Sequence, residues 1–295
     1  MLRVYELKGS GRPRNLPAEG LEGIWPEPPY YYLFYRKESA EPILEWLKSR
    51  PGWRLTSRYD LPYDKWQDIS VPQISLGSFN IRLSADPAAA LIQDAVPPPS
   101  WAAAKRISTL SLTCPQPEAC GPAAGIAILI DPGVVFGSGL HPTTQGCLLA
   151  ISEIFESNEI LTALDFGAGT GILAIACALA GAKLVLAIDR NPLALKTAWK
   201  NARANGVTDR IALVEADRLG CLSIRPDFFI MNLEWPILEK TLAAGDWRSA
   251  RRVVLAGFLE SRLESVKKFA RPEFQVDSVI ERQGWPTVVL SACAE

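Results

Sequence analysis

The run Asp165-Phe166-Gly167-Ala168-Gly169-Thr170-Gly171 constrains this chain more than any other short segment. It follows an apolar, strand-like stretch (161–166) and opens an apolar, helix-like one (171–180). Glycines at such a junction let the backbone turn tightly and let a ligand lie against the main chain. The next apolar run, 184–188, leads into Asp189, 22 residues after Gly167. An acid at that place can accept both hydroxyls of a ribose.

Two nucleotide-type ligands compete for this arrangement. A nicotinamide dinucleotide needs G-x-G-x-x-G, with the helix N-terminus on its pyrophosphate. Ile172 stands where the third glycine of that pattern belongs, and the observed order is D-x-G-x-G-x-G. S-adenosylmethionine carries an adenosine, a sulfonium and an amino acid, and no phosphate. The leading Asp165 suits a positive ligand and would repel a pyrophosphate. The sequence therefore favours S-adenosylmethionine over NAD, with a ligand-free glycine turn as the bland alternative.

The chain around this loop alternates strand-like and helix-like segments. Strands are expected at 161–166, 184–188, 211–215, 228–231 and 253–256. Helices are expected at 171–180, 192–205, 236–244 and 259–269, with Pro192 in a first helical turn. Two closing strands, 276–280 and 287–290, have no helix between them and should pair antiparallel. The fold class is α/β: a Rossmann-like, doubly wound and mainly parallel sheet in the C-terminal part. The first part reads as a smaller α+β domain. It has strands at 2–8 and 30–35, a proline- and glycine-rich connection between them, and a helix at 41–49. Two short strands follow within 71–83, around a Gly77-Ser78 turn. The expected division is 1–85 for this domain, 86–123 for a linker stiffened by Pro97, Pro98 and Pro99, and 124–295 for the sheet domain. A short helix at 88–95 could interrupt the linker.

Composition removes several classes of function. At 295 residues and 48% hydrophobic, the chain can bury two cores. A formal net charge of -1 gives no electrostatic footprint for nucleic acid. Six cysteines without C-x-x-C spacing and a single histidine, His141, argue against a zinc site, and no metal is expected. Cys114 and Cys120 could meet across a loop, but nothing requires a disulfide. The opening residues lack the apolar core of a signal peptide, and no apolar run has the length of a membrane span, so a cytoplasmic protein is expected.

A second motif sharpens the reading. Pro132-Gly133-Val134-Val135-Phe136-Gly137-Ser138-Gly139-Leu140-His141-Pro142-Thr143-Thr144 resembles the loop just upstream of the cofactor domain in the PrmA family of bacterial ribosomal-protein methyltransferases. The glycine loop, Asp189, the helix end 201–207, Asn232-Leu233, Ala256-Gly257-Phe258-Leu259 and Gly284-Trp285 are also similar to that family. The resemblance is good over about 126–291, and fainter at Val4-Tyr5-Glu6-Leu7-Lys8-Gly9. It implies a class I S-adenosylmethionine-dependent methyltransferase with an N-terminal substrate-recognition domain. It also implies an amine acceptor, lysine or N-terminal, on a large-subunit ribosomal protein. The resemblance places Thr144 at the amino-acid end of the cofactor, Gly167 at its methionine portion, Asp189 at the ribose and Asn232 at the reaction site. Two segments depart from the family: Leu233-Glu234-Trp235-Pro236-Ile237-Leu238 after Asn232, and Tyr63-Asp64-Lys65-Trp66 in the first domain.

Candidate roles follow from chemistry. Asn232, the one expected catalytic residue, offers a carbonyl that can orient an N–H without carrying full charge, and its bland alternative is a helix cap. Asp165, Gly167, Gly169, Gly171, Asp189 and Asn232 are the core of the cofactor set. Phe136 would cover the cofactor, or simply pack in the core. Asp217 would sit near the adenine, or cap a loop. His141, beside Pro142, suits a structural hydrogen bond better than proton transfer. Glu234 reads equally as surface or as a substrate anchor. Tyr30, Tyr31, Tyr32, Phe34 and Tyr35 form either a recognition surface or a packed strand. A small-molecule methyltransferase and a non-catalytic cofactor-binding assembly protein are the competing functions, with an NAD oxidoreductase more distant.

Overall fold

A computed structural model describes residues 2–11, 13–27, 29–36, 42–61, 73–83, 126–133, 135–220 and 225–293. The segment 86–123, the helix expected at 88–95, the motif 63–66, Cys114 and Cys120 lie outside the described residues.

The N-terminal unit is an antiparallel sheet of β1 (Leu2–Lys8), β2 (Leu21–Glu27), β3 (Tyr30–Arg36) and β4 (Arg54–Leu61), in the order β2-β3-β1-β4, with α1 (Pro42–Lys48) between β3 and β4. Strands β2 and β4 correct the sequence reading, which had an irregular connection in place of the first and no element at the second. Both lie at ends of the sheet. Pro26 is admissible in β2 because an end strand pairs on one side only. Strand alternation splits the aromatic side chains between two faces. Tyr5, Leu7, Leu33 and Tyr35 pack on Ile43 and Trp46 of α1. On the other face, Val4, Tyr32 and Phe34 pack on Val135, Leu193 and Ala194 of the C-terminal unit. Three of the five clustered aromatics, Tyr32, Phe34 and Tyr35, thus join these cores, and Tyr31, Phe34 and Tyr35 are buried.

The C-terminal unit is built on seven strands: β8 (Thr162–Phe166), β9 (Leu184–Asp189), β10 (Ile211–Glu215), β11 (Phe228–Asn232), β12 (Arg252–Ala256), β13 (Phe274–Arg282) and β14 (Trp285–Ala292). Their order is β10-β9-β8-β11-β12-β14-β13; the first five are parallel, and β14 and β13 are antiparallel as expected. Both faces of the inner strands are covered, so β8, β9, β11 and β12 read as near-continuous apolar runs. In β11 the alternate residues Phe228 and Ile230 join the core beneath α2 (Pro142–Ser157) and α3 (Ile172–Ala180). Phe229 and Met231 join the opposite core with α5 (Trp235–Ala244) and α6 (Leu263–Ala270). Helix α2 is an addition to the sequence reading, which had no element over 142–157. Strand order reverses between β8 and β11, and the crevice at the carboxyl ends there is where such sheets bind ligands.

A third sheet, β5-β6-β7, joins the hairpin β5 (Gln73–Leu76) and β6 (Phe79–Leu83) to β7 (Ile126–Ile130), with β6 and β7 parallel. The hairpin turn is held to α2, where Ser152 Oγ accepts from Ser78 N at 2.8 Å. Two asparagines of α4 (Pro192–Ala204) and its C-cap then replace a neighbouring strand. Asn205 accepts from Leu129 N (2.8 Å) and donates to Leu129 O (2.7 Å). Asn201 does the same at Asp131, at 2.9 Å each way, and also donates to Thr170 O at 2.9 Å. These bonds tie the segment after β7 to the glycine loop.

Candidate functional site

Three segments meet at the carboxyl ends of the parallel strands: the glycine loop after β8, the loop 131–141, and the turn after β11. Gly169 and Gly167 have positive φ, +54° and +87°. A Cβ on Gly169 would overlap the Phe136 carbonyl oxygen, and one on Gly167 the Leu233 side chain. The loops approach this closely because both positions lack a side chain. Thr170 clasps them together: its N–H donates to Phe136 O at 3.0 Å and its hydroxyl to Gly137 O at 2.6 Å.

The cavity so formed holds about 470 Å³, the size of a small-molecule site. Phe136, Gly167, Gly169, Asp189, Asp217 and Asn232 of the sequence-derived set line it. Thr144, Asp165 and Gly171 are not among its lining residues and stand behind the wall. Gly171 is the N-cap of α3 and packs against Ala198, whose Cβ lies 2.9 Å from where its own would be. Asp165 is buried beneath the loop, its Oδ2 accepting from Ala174 N at 3.1 Å and its Oδ1 without a protein partner. Burial pushes its pKa up to about 7.

Asp189 ends β9 with its carboxylate at the cavity. Oδ2 accepts from Gly169 N (2.9 Å) and Oδ1 from Asn191 N (2.8 Å). Burial raises its pKa and these two amides act against the rise. Each oxygen keeps a further acceptor position. Asn232 ends β11. Its Nδ2 donates to Thr144 Oγ1 at 3.3 Å, which orients the amide; Oδ1 is buried without a protein partner. Glu234, rather than Asn232, is the N-cap of α5, so the helix-capping alternative for Asn232 falls away.

His141 caps α2 and accepts at Nδ1 from Thr143 N (3.3 Å), with Thr143 Oγ1 at 2.8 Å. Its ring lies edge-on between Phe136 and Trp285, with centroids 5.4 and 4.9 Å away. Burial lowers its pKa, which favours a neutral ring protonated on Nε2. Phe136 is 50% exposed at this wall, which core packing would not produce.

Sequence reasoning did not count Arg190, Ala216, Ile237, Gly257 or Trp285 in the site, and all line the cavity. Gly257 follows β12 as Gly167 follows β8, so the carboxyl-end rule could have found it. Trp285 opens an antiparallel strand, whose beginning lies at that same edge of the sheet. Among the described residues no three His, Cys, Asp or Glu side chains converge to hold a metal, and no helix is long and apolar enough to cross a membrane.

The model of the family described as ribosomal protein L11 methyltransferase (PrmA) matches residues 104–292. The chain belongs to the PrmA family. Proteins named ribosomal protein L11 methyltransferase from Actinobacillus pleuropneumoniae serotype 3 and Vibrio vulnificus are 36% identical over 180 residues and 33% over 176. Each match covers 58% of this chain, and the chain spans 58% of the length of these relatives. A solved ribosomal protein L11 methylase from Lactobacillus delbrueckii subsp. bulgaricus is similar at a TM-score of 0.56 and 26% identity, over 75% of this chain and 98% of that one. The Rossmann-like fold expected from the sequence is thus the class I methyltransferase fold of the PrmA family. The described part of the family match contains every residue of the cavity wall named above.

Proposed function

We propose that this chain is an S-adenosylmethionine-dependent methyltransferase acting on lysine or N-terminal amines of a ribosomal protein of the L11 kind. The observation that carries the reading is the cavity at the sheet's switch point. There Asn232, whose buried Oδ1 has no protein partner, and Asp189, whose carboxylate is half satisfied, line one space between two closely apposed glycine loops.

The residues present fit that cofactor. The two free acceptor positions of Asp189 match a pair of ribose hydroxyls. Gly167 and Gly169 leave the main chain bare for the amino-acid portion, and Phe136 covers the opening. When bound, S-adenosylmethionine supplies an electrophilic methyl group on a sulfonium. The protein then has to align the acceptor and exclude water. Asn232 Oδ1 is the acceptor that would orient the N–H of an incoming amine, and Thr144 holds that amide in place. Phe136, Leu233, Ile237 and Trp285 make the surroundings apolar, which favours the neutral, nucleophilic form of an amine whose ordinary pKa is about 10.4.

With the division into 1–85, 86–123 and 124–295 that the sequence suggests, we read the first unit as the part that recognises the acceptor. Its sheet packs on Val135 and Ala194, and both also line the cavity. A ribosomal acceptor goes with a cytoplasmic setting. The test is to incubate the full chain with methyl-labelled S-adenosylmethionine and purified ribosomal protein L11, beside an extract of the source cells. Label on L11 lysines or its N-terminus is expected. Label only on another protein or on a small molecule would replace the acceptor, and no label anywhere would remove the enzymatic reading.

A further inference from the structure

Glu234 has no role in cofactor binding as read above, although it lines the same cavity two residues after Asn232. It is exposed, and among the described residues no hydrogen bond or ion pair engages its carboxylate. A glutamate at the start of a helix would ordinarily be explained as a cap. Here that use is closed. A capping side chain accepts from the second or third N–H of the helix. The second position is Pro236, which has no N–H, and the third, Ile237 N, already donates to the backbone oxygen of Glu234 at 3.0 Å. Arg262 does not neutralise it either; its guanidinium lies over the Trp235 ring, 5.1 Å from the centroid.

A bare, exposed carboxylate therefore stands on a cavity wall that also carries the apolar Leu233, Ile237, Phe136 and Trp285 and the cationic Arg190. Two residues before it, the neutral amide oxygen Asn232 Oδ1 is buried and also without a protein partner. One charged and one neutral oxygen acceptor suit a group with several N–H donors and positive charge, such as an ammonium. We propose that Glu234 determines acceptor specificity: its carboxylate docks the cationic form of an amine at the entrance, so that the site selects positively charged acceptors over neutral ones of the same shape. The proposal rests on the amine-methyltransferase reading and deepens it to a charge requirement on the incoming group.

The test needs no turnover. The full chain, with S-adenosylhomocysteine added, is titrated with acetyl-Gly-Lys-Gly-amide and with its norleucine counterpart, and binding is followed by ligand-observed NMR. The wild-type chain is expected to prefer the lysine peptide by about tenfold, the lower end for a charge-assisted hydrogen bond at an exposed site. In Glu234→Gln the preference should fall to about twofold or less, while melting temperature and S-adenosylhomocysteine affinity stay as in wild type. Glu234→Asp should keep part of the preference. An absent preference in wild type, a preference untouched by Glu234→Gln, or a loss of S-adenosylhomocysteine affinity in that variant would each overturn the proposal. Failure of the function reading looks different: L11 stays unlabelled while the lysine preference and its dependence on Glu234 remain.

Discussion

Gly169→Ala probes the site at its tightest point. The residue has φ +54°, where an L side chain costs about 1–2 kcal/mol. The new Cβ would overlap the Phe136 carbonyl oxygen, which is backbone and cannot rotate aside. The 131–141 loop must move away, and that breaks the bonds from Thr170 N to Phe136 O and from the Thr170 hydroxyl to Gly137 O. Two hydrogen bonds at about 1 kcal/mol each bring the total to about 3–4 kcal/mol. At roughly 2–4 °C per kcal/mol for a domain of this size, melting should fall by about 6–16 °C. Affinity for S-adenosylhomocysteine should fall by about tenfold or more, because Gly169 N holds Asp189 Oδ2 and Phe136 forms the facing wall. Gly181→Ala is the control. Its φ is +128° but nothing lies within 4 Å of an added Cβ, and it lies outside the cavity. It should lower melting modestly and leave affinity alone. Scanning calorimetry and isothermal titration on both variants give the answer. Gly169→Ala with wild-type melting and wild-type affinity would refute the claim that loop contact builds the site.

Asp189→Ala should weaken S-adenosylhomocysteine binding by about ten- to a hundredfold in a folded protein, the worth of a charged acceptor shared by two hydroxyls; titration calorimetry reads it, and an unchanged dissociation constant removes Asp189 from the ribose. Asn232→Ala should cut the single-turnover rate on L11 by about tenfold or more with little change in cofactor affinity, since its free Oδ1 would act mainly on the reacting amine; a normal rate per folded molecule sinks the role. Asp165 gives a pH test. With its pKa raised to about 7, both folded and unfolded chains are protonated there below about pH 4, and between about 4 and 7 only the unfolded chain ionises. This residue therefore makes stability fall as pH rises through that window, by up to about 4 kcal/mol, and Asp165→Asn should remove that component. Urea melts of the two proteins from pH 4 to pH 8 should diverge, and parallel curves would contradict the burial argument.

The C-terminal elements were legible because the inner strands β8, β9, β11, β12 and β14 are buried on both faces and read as apolar runs, while the edge strand β13 shows plain alternation. Residues 211–215 match β10 to the residue, and 184–188 and 192–205 differ from β9 and α4 by one residue at one end. The N-terminal sheet was half hidden. Pro26 and the glycines around β2 carry turn chemistry, and only pairing with β3 overrides it. Helix α2 was missed because it begins inside a glycine- and proline-rich loop. What secures its start is His141 accepting from Thr143 N, a contact no pattern displays.

The sequence by itself determined the chemistry on offer. A D-x-G-x-G-x-G turn after a strand, an acid ending the next strand and an asparagine ending the fourth are local features, set by backbone permissiveness and strand termini. Tertiary structure decided which of them reach the ligand. Thr144, Asp165 and Gly171 look like Gly167 and Asp189 in one dimension, yet they stand behind the wall, because helix packing turns one residue of a loop toward the cavity and the next toward the core. Trp285, Gly257 and Ile237 join the site from distant segments because the sheet brings its strand ends to a single edge. Whether Glu234 is a surface residue or a substrate anchor was likewise open in the sequence; in the structure it is exposed, lines the cavity and makes no side-chain cap bond.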